Sequence, residues 1–550
     1  MREAPQAPAA TEPAATATNT ATATATATAT INTATTINTA TTGPVSRTAV
    51  LVVGAGPAGL TVACELALAG VPVTVLERDA APPPFCRGFN LNARSLELLD
   101  RRGLVDRFLA EGPTVTSTVF VGGARLDLGA MDCRHPYVLG IPQTRVEELL
   151  TARATELGVP ILRGHRVTGL RQDAGGVTVE TTAPDGPANW RCRFLAGCDG
   201  GRSTVRGLAG IAFPGTPSRR FTLLGDVVLA DGADLPFGVT TGPGGAVFAI
   251  PRPGYVRLIT ADPEPPADRD EPVTLPRFQA AVDRALGRPA AIAEARWLTR
   301  FGDAARLAER LRHGRVFLAG DAAHIHPPAG AIGVNAAIDD AMALGWRLAL
   351  AARDLADDGV LDAYHAERHA AGARLIRDTR AQAVLGRDDE ELAPVRDLLA
   401  ELATAPATAG PLAETITAVG TRYPVRHPSG HAWDGRAVPD IPAAPAGLFA
   451  LLARTGRGVL LLAPGPLAEP LRATAAGWSD RVTAATTAPD ALPGATAVLV
   501  RPDGHAAWVA PADQLPPAAP ESPREALNQA LRTTLTTEFG PPSARADEDT

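Results

Sequence analysis

The sequence predicts an α/β fold: a βαβ core interrupted by a run of antiparallel strands. Three observations carry this reading. A β-branched apolar run at residues 48–53 leads into a glycine-rich turn and then a helical pattern. Two later apolar runs, at 194–197 and 316–319, end close to a Gly/Asp pair and a helix start. Between them lie strand-like pieces separated by Gly and Pro.

A chain of 550 residues, 45% hydrophobic and 20% charged, is too long for one core, and two or three domains are expected. Lys+Arg 52 against Asp+Glu 59 gives a net charge of -7 without a basic stripe, which argues against nucleic acid as a partner. Cys64, Cys86, Cys133, Cys192 and Cys198 are odd in number, widely spaced and lack CxxC, as expected of a cytoplasmic protein without a disulfide framework. The Thr/Ala-rich start has no continuous apolar core for a secretory signal and offers little to bury, so residues 1–46 are expected to form a disordered tail, with a self-associating β-rich arm as the alternative. The apolar run 49–76 is broken by Gly54, Gly56, Pro57, Glu65, Gly70 and Pro72 and is no membrane span.

The first element is "TAVLVVGAGPAGLTVACELALAGVPVTVLER", residues 48–78. Strand 48–53, helix 57–69 ending at Gly70, and strand 71–76 make a βαβ unit. Gly54, Gly56 and Gly59 form GxGxxG in the turn, with Pro57 and Ala58 between them. The first allows the tight turn, the second a close approach of pyrophosphate to the backbone, and the third close packing of helix on strand. Glu77, followed by Arg78, ends the second strand where an acid would accept hydrogen bonds from a ribose diol. A dinucleotide is expected here, NAD or FAD.

The second and third edges separate these two. "FLAGCDGGRSTVR", 194–206, places Asp199 after an apolar strand, and "GRVFLAGDAAH", 314–324, places Gly320 and Asp321 after another. A carboxylate at such an edge suits a polyol such as the ribityl chain, which FAD has and NAD lacks. Beyond Asp321 come Pro327, Pro328, Gly330 and Gly333, a turn small enough for a planar ring to reach the backbone. A helix follows, with Val334, Ile338, Met342, Gly345 and Ala349 on one face and Asp339 and Arg347 off it. Its N-terminus, at Gly333, Val334 and Asn335, would stabilise negative charge on a reduced flavin. His324 and His326 form an HxH without a third ligand nearby, so no metal is expected.

"GAGPAG", "CDGGRSTVR" and "GDAAHIHPPAGAIGVNAAIDDA", in this order and separation, resemble the fingerprints of the group A FAD-dependent aromatic monooxygenases, over about residues 47–400. The resemblance implies a Rossmann-type FAD-binding domain at 47–213 and 300–400, with an inserted, mainly antiparallel β-sheet substrate-binding domain at 214–299 covering the flavin. "RGFNLNARSLELLDRRG" and "IPQTRVEELL" also look like family segments, which implies FAD contacts from Arg87 and Gln143. The nearest likeness is to aromatic polyketide hydroxylases with a C-terminal thioredoxin-like α/β domain. That domain is expected at 430–535, after a linker helix region at 401–429 and before a disordered tail at 536–550. "RAVPD" at 436–440 looks like its start, "GVLLLA" at 458–463 reads as a buried strand, and "VLVRPDGHAAWVA" at 498–510 looks like its last hairpin. No cysteine follows Cys198, so dithiol chemistry is excluded, and a structural or oligomer role is expected. Two positions depart from the family pattern: Gly330-Ala331-Ile332-Gly333 stands where Gly-Gly-Gln-Gly is usual, and Ala343 where Asn is usual.

The activity so implied is an NADPH- or NADH-dependent monooxygenation, in which O2 and a flavin C4a-hydroperoxide hydroxylate an aromatic polyketide, phenol or quinone, in natural-product biosynthesis. The cofactor carries this chemistry, and no catalytic acid or base stands out. Baeyer–Villiger or ring-cleaving oxygenation on the same fold, and a non-catalytic flavin- or polyketide-binding partner, are the alternatives. Halogenation is disfavoured, since no tryptophan lies in a WxWxIP-like segment.

Overall fold

Six strands make the central sheet of the computed structural model, in the order Arg312–His313, Val316–Leu318, Phe194–Gly197, Val50–Val53, Val73–Glu77 and Ile161–Arg163. All pair in parallel except the edge strand Arg312–His313. The three strands expected to end in glycine or aspartate are therefore neighbours, with Gly197 in register with both Val53 and Leu318. Their β-branched and apolar side chains are buried on both faces, as a parallel sheet requires. Helices Pro57–Leu68 and Gly333–Ala352 pack on it; they are called here the glycine-turn helix and the ring-turn helix.

The structure describes residues 45–120, 125–230, 234–264, 266, 268, 271–387, 389–512 and 521–543. The tail expected at 1–46 lies outside them up to residue 44; Val45 and Ser46 instead belong to strand Val45–Arg47, paired with Gly186–Cys192 at the edge of a four-stranded sheet. The described residues belong to one compact unit. Among them no helix is long and apolar enough to cross a membrane.

The inserted sheet has five strands, Gly238–Gly242, Gly245–Arg252, Tyr255–Asp262, Phe221–Leu229 and Ile292–Gly302, all antiparallel. Helix Leu275–Leu286 covers it through Phe278, Ala281, Val282 and Ala285, a stripe with helical spacing. The C-terminal sheet runs Ala443–Ala444, Val482–Thr487, Gly458–Leu462, Ala495–Val500, Ala506–Pro511, so its strands lie first, third, second, fourth, fifth, the thioredoxin-like order. Helices Leu448–Thr455, Ala468–Ala475 and Glu521–Phe539 accompany it.

The disordered tail expected at 536–550 is corrected over its first half, residues 544–550 lying outside the described residues. Phe539 is fully buried against Trp346 at 5.9 Å between ring centroids, and the Trp478 indole N–H donates to the Gly540 carbonyl at 2.7 Å. A hydrophobic cluster joins Trp346 and Leu350 of the ring-turn helix to Leu460, Trp508 and Phe539 of the C-terminal sheet and its helix. The apolar surface that orders this end belongs to distant residues, which a local reading of composition does not see. Phe539→Ala is expected to cost about 3–5 kcal/mol in urea unfolding, the usual range for an emptied aromatic core site; a change near zero would return residues 536–543 to the status of a tail.

Candidate functional site

Because the three strands end side by side, their following turns form one continuous rim. At the first turn Gly54 has φ +106°, and a Cβ there would lie 2.4 Å from the Cys198 carbonyl oxygen of the neighbouring strand end. A Cβ on Gly59 would lie 1.9 Å from the Gly54 oxygen, so helix and turn touch only because both are glycine. Gly56 differs: nothing lies within 4 Å of its Cβ direction, and it precedes an uncapped helix N-terminus with Pro57 in its first turn and Ala58 buried behind it. Open space in front of uncapped N–H groups is the cradle a pyrophosphate needs.

Glu77 is held by two backbone donors, Ala55 N–H to Oε2 at 2.8 Å and Asp79 N–H to Oε1 at 2.9 Å, so its remaining lone pairs are aimed at the rim. Arg78 lies half-exposed beside Asp79. From Glu77 the rim continues to Glu147, whose carboxyl is pushed up by burial, held back by the Gln143 hydrogen bond and pushed further by the charge of Glu77. Gln143 opens helix Gln143–Glu156 and donates from Nε2 to Glu147 at 2.8 Å. A Cβ on Gly88 would meet Gln143 Oε1 at 2.7 Å and Val334 Cγ2 at 2.9 Å, which brings Gln143 and the ring-turn helix to one place.

The third strand end supplies Gly320, with φ +63° and a Cβ direction 3.1 Å from the Ala58 Cβ and 3.2 Å from the Ala337 Cβ. The two helix N-termini thus meet across one glycine. Asp321 beside it is exposed and has no hydrogen-bond partner among the described residues, as a polyol acceptor should be. The following turn has Pro328 exposed, Gly330 at φ +73° and Ala331 at φ +51°. Gly333 and Val334 then begin a helix without a side-chain cap, and Asn335 Oδ1 accepts the Asn92 N–H at 2.8 Å.

Asp199 and Arg87, both expected at the cofactor, make hydrogen bonds within the protein. Asp199 caps its own helix, accepting from the Ser203 hydroxyl at 2.5 Å and from the Thr204 and Val205 N–H groups at 2.6 and 3.0 Å. Arg87 is exposed and reaches the inserted sheet, donating to Thr299 Oγ1 at 3.1 Å and to the Arg300 carbonyl at 3.3 Å.

The ring-turn helix is not amphipathic: Asp339, Asp340 and Arg347, expected off the apolar face in part, are as buried as Ile338. Asp340 accepts from Gly320 N–H at 3.0 Å, His324 Nε2 at 2.7 Å and Arg368 Nε at 2.7 Å. Asp339 accepts from Arg94 at 3.0 Å and Arg368 at 2.5 Å, and Arg368 also donates to the Tyr423 hydroxyl at 2.7 Å. Burial alone would raise Asp339; Arg368 and Arg94 outweigh it and hold the carboxyl at about 2. None of Asp340, Arg94, Arg368 and Tyr423 was a sequence candidate, although a double Asp inside a small, apolar helix was the available signal.

His324 and His326 part company. Burial lowers both; in His324 the Asp340 carboxylate more than offsets it, whereas His326 stays below its ordinary value. Among the described residues no group of three or more His, Cys, Asp or Glu could hold a metal. Burial pushes the thiols of Cys64, Cys133 and Cys192 up to about 12, which keeps them protonated.

A cavity of about 460 Å³ opens beside the ring turn, lined by Ile332, Asn335, Ala336, Leu375, Gln382 and Tyr423 among others, with no residue of the inserted sheet. Phe248 of the inserted sheet lies between Phe89, in the loop before strand Asn90–Leu91, and Phe237, with centroids 6.4 and 6.1 Å apart along that row. Phe237 is 64% exposed. Uncapped helix ends, the open cradle at Gly56 and the free Asp321 fit an FAD, and the comparisons agree. A family model described as an FAD binding domain matches residues 47–379, and one described as "Aromatic-ring hydroxylase, C-terminal" matches 431–542.

The chain belongs to the FAD-dependent aromatic-ring hydroxylases. It is an FAD-dependent monooxygenase. It is 43% identical to the 12-dehydrotetracycline 5-monooxygenase/anhydrotetracycline 6-monooxygenase of Streptomyces rimosus subsp. rimosus, over 90% of this chain and 100% of the relative. It is 42% identical to the rifampicin monooxygenase of Streptomyces venezuelae, over 84% and 95%. Among solved structures, the OxyS anhydrotetracycline hydroxylase from Streptomyces rimosus matches with a TM-score of 0.80 at 42% identity, covering 90% of this chain and 100% of that one.

Two outcomes follow from this geometry. Ala331 occupies the left-handed region at a cost of about 1 kcal/mol, so Ala331→Gly is expected to hold or raise the melting temperature, and Ala331→Val to lower it. Since the folded pKa of His324 is raised, its stabilisation is complete below about pH 6.5 and is lost as pH rises through the folded value. The stability gap between wild type and His324→Gln, read by urea unfolding, should therefore narrow from pH 6 to pH 9; a constant gap would mean that His324 is neutral throughout.

Proposed function

We propose that this flavoprotein uses NADPH or NADH and O2 to hydroxylate a polycyclic aromatic polyketide. The observation that carries the substrate class is the room at the ring turn. A cavity of about 460 Å³ beside Ile332 and Asn335, and the row of Phe89, Phe237 and the inserted sheet's Phe248, offer more apolar surface than one phenol ring fills. The relatives named above act on anhydrotetracycline and on rifampicin, which supports a large, fused or macrocyclic aromatic.

In this reading Gly54, Gly56, Pro57, Ala58 and Gly59 take the pyrophosphate, Glu77 the ribose diol, Asp321 the ribityl hydroxyls, and Gly333, Val334 and Asn335 the edge of the ring. When bound there, FAD would supply the capacity for hydride acceptance and dioxygen activation. The protein's share is to place and to exclude: the uncapped N-terminus of the ring-turn helix stabilises negative charge on the ring edge, Gly330 and Ala331 let the ring approach the backbone, and the apolar walls keep water away. No acid or base is required of the chain for these steps. Ile332, where the family usually has Gln, makes the wall of the cavity apolar.

Purified protein loaded with FAD and mixed anaerobically with NADPH tests this. The flavin absorbance should bleach slowly alone and at least tenfold faster with a tetracyclic phenolic polyketide, and aerobic turnover should add one hydroxyl. An inserted ester oxygen would replace hydroxylation by Baeyer–Villiger chemistry, and bleaching indifferent to the polyketide would overturn the substrate class.

A further inference from the structure

The turn of the last hairpin, Arg501-Pro502-Asp503-Gly504-His505, lies far from the glycine rim in sequence and belongs to the C-terminal sheet. Its polar groups are nevertheless buried, Arg501 at 3%, Asp503 at 2% and His505 at 1% exposure, and their partners lie on the helices that face the flavin. The Trp346 indole N–H of the ring-turn helix donates to Asp503 Oδ2 at 3.2 Å. Arg501 donates to Asp503 at 2.6 Å and, through two nitrogens, to Glu367 at 2.7 and 3.0 Å, and Glu367 accepts Arg347 of the same ring-turn helix at 2.9 Å. On the other side, Arg102 donates at once to the Pro502 carbonyl at 2.9 Å and to both oxygens of Glu65, on the glycine-turn helix, at 2.6 Å. Gly504, at φ +87°, lets the turn come close: a Cβ there would lie 2.3 Å from Arg101 Nε.

The two helices so gripped are the two whose N-termini meet at Gly320. They touch near this end as well, since a Cβ on Gly345 would lie 2.4 Å from the Glu65 Cβ. We infer that the hairpin turn 501–505 is a positioning element of the flavin site, setting the spacing of the two helix N-termini by clamping the same pair of helices at their far ends. A buried charge set tolerates little displacement, because each ion that loses a partner is left without solvent to replace it. Helices of 12 and 20 residues transmit such a constraint as rigid rods. A second path runs from His505 to the Tyr423 ring, 4.5 Å between centroids, and from the Tyr423 hydroxyl through Arg368 and Asp340 to the Gly320 N–H. The C-terminal sheet thus has a role in cofactor binding that its missing cysteines do not exclude.

The inference depends on FAD binding and not on the identity of the substrate, so failure to hydroxylate would leave it standing. Its test compares Asp503→Asn and Trp346→Phe, which weaken the clamp, with Trp478→Phe, which removes a hydrogen bond to Gly540 in the same C-terminal unit but outside the turn. FAD dissociation constant, midpoint potential of the bound flavin and melting temperature are read for each holoprotein. Asp503→Asn is expected to weaken FAD binding at least tenfold and to move the potential, Trp346→Phe to weaken it about threefold, and Asp503→Glu to recover part of the loss. Trp478→Phe should lower the melting temperature and leave affinity and potential unchanged. If Asp503→Asn does not fold, Trp346→Phe decides. Wild-type affinity and potential in the clamp variants, or losses that simply track melting temperature in all variants, would overturn the inference.

Discussion

The ring-turn helix is buried along nearly its whole length and still carries Asp339, Asp340 and Arg347 in its middle. Three charges without water require partners, and the partners come from several elements: His324 from the rim, Arg94 from the helix after Gly88, and Arg368 and Glu367 from helix Asp358–Leu385, with Glu367 paired in turn to Arg501 of the last hairpin. Such a set contributes little net stability over an apolar core, since desolvation costs much of the Coulomb gain. Its effect is geometric. The network ties the start of the ring-turn helix to Gly320, whose N–H donates to Asp340.

The glycine rim follows from a different constraint. Parallel strands that end in register leave their turns side by side, and the helix N-termini they feed point to the same space. Packing so close requires glycine at Gly54 and Gly59, where a Cβ would overlap backbone oxygen, whereas packing places no such demand on Gly56, which has open space before it. This distinction separates two uses of one motif.

The inserted sheet and the C-terminal sheet then act on the same centre from opposite requirements. The first carries Phe248, packed on Phe89, and accepts Arg87, so that the loop after the second strand is tied to the inserted sheet. The second grips the helices from behind. Apolar and charged groups meet at one cavity: Ile332, Ala336 and Leu375 line it together with Arg94, Asp339 and Arg368.

Much of this was legible in the residues. Strand 48–53, the GxGxxG turn, Glu77 and the strands before Asp199 and Asp321 are local patterns, set by burial periodicity and by the conformations only glycine adopts, and the resemblance they carry named the family. The sequence by itself determined the order of elements, the dinucleotide turn and the flavin class, because each depends on residues within one turn or one strand of each other. Only the tertiary structure showed that Asp199 accepts from the turn that follows it, that Arg87 reaches Thr299 on the inserted sheet, that Phe539 is packed, and that Asp339, Asp340, Arg368 and the turn at Asp503 share one buried network. Those outcomes depend on which of several partners a charged or apolar group meets after folding, and a charge in a sequence does not state its partner.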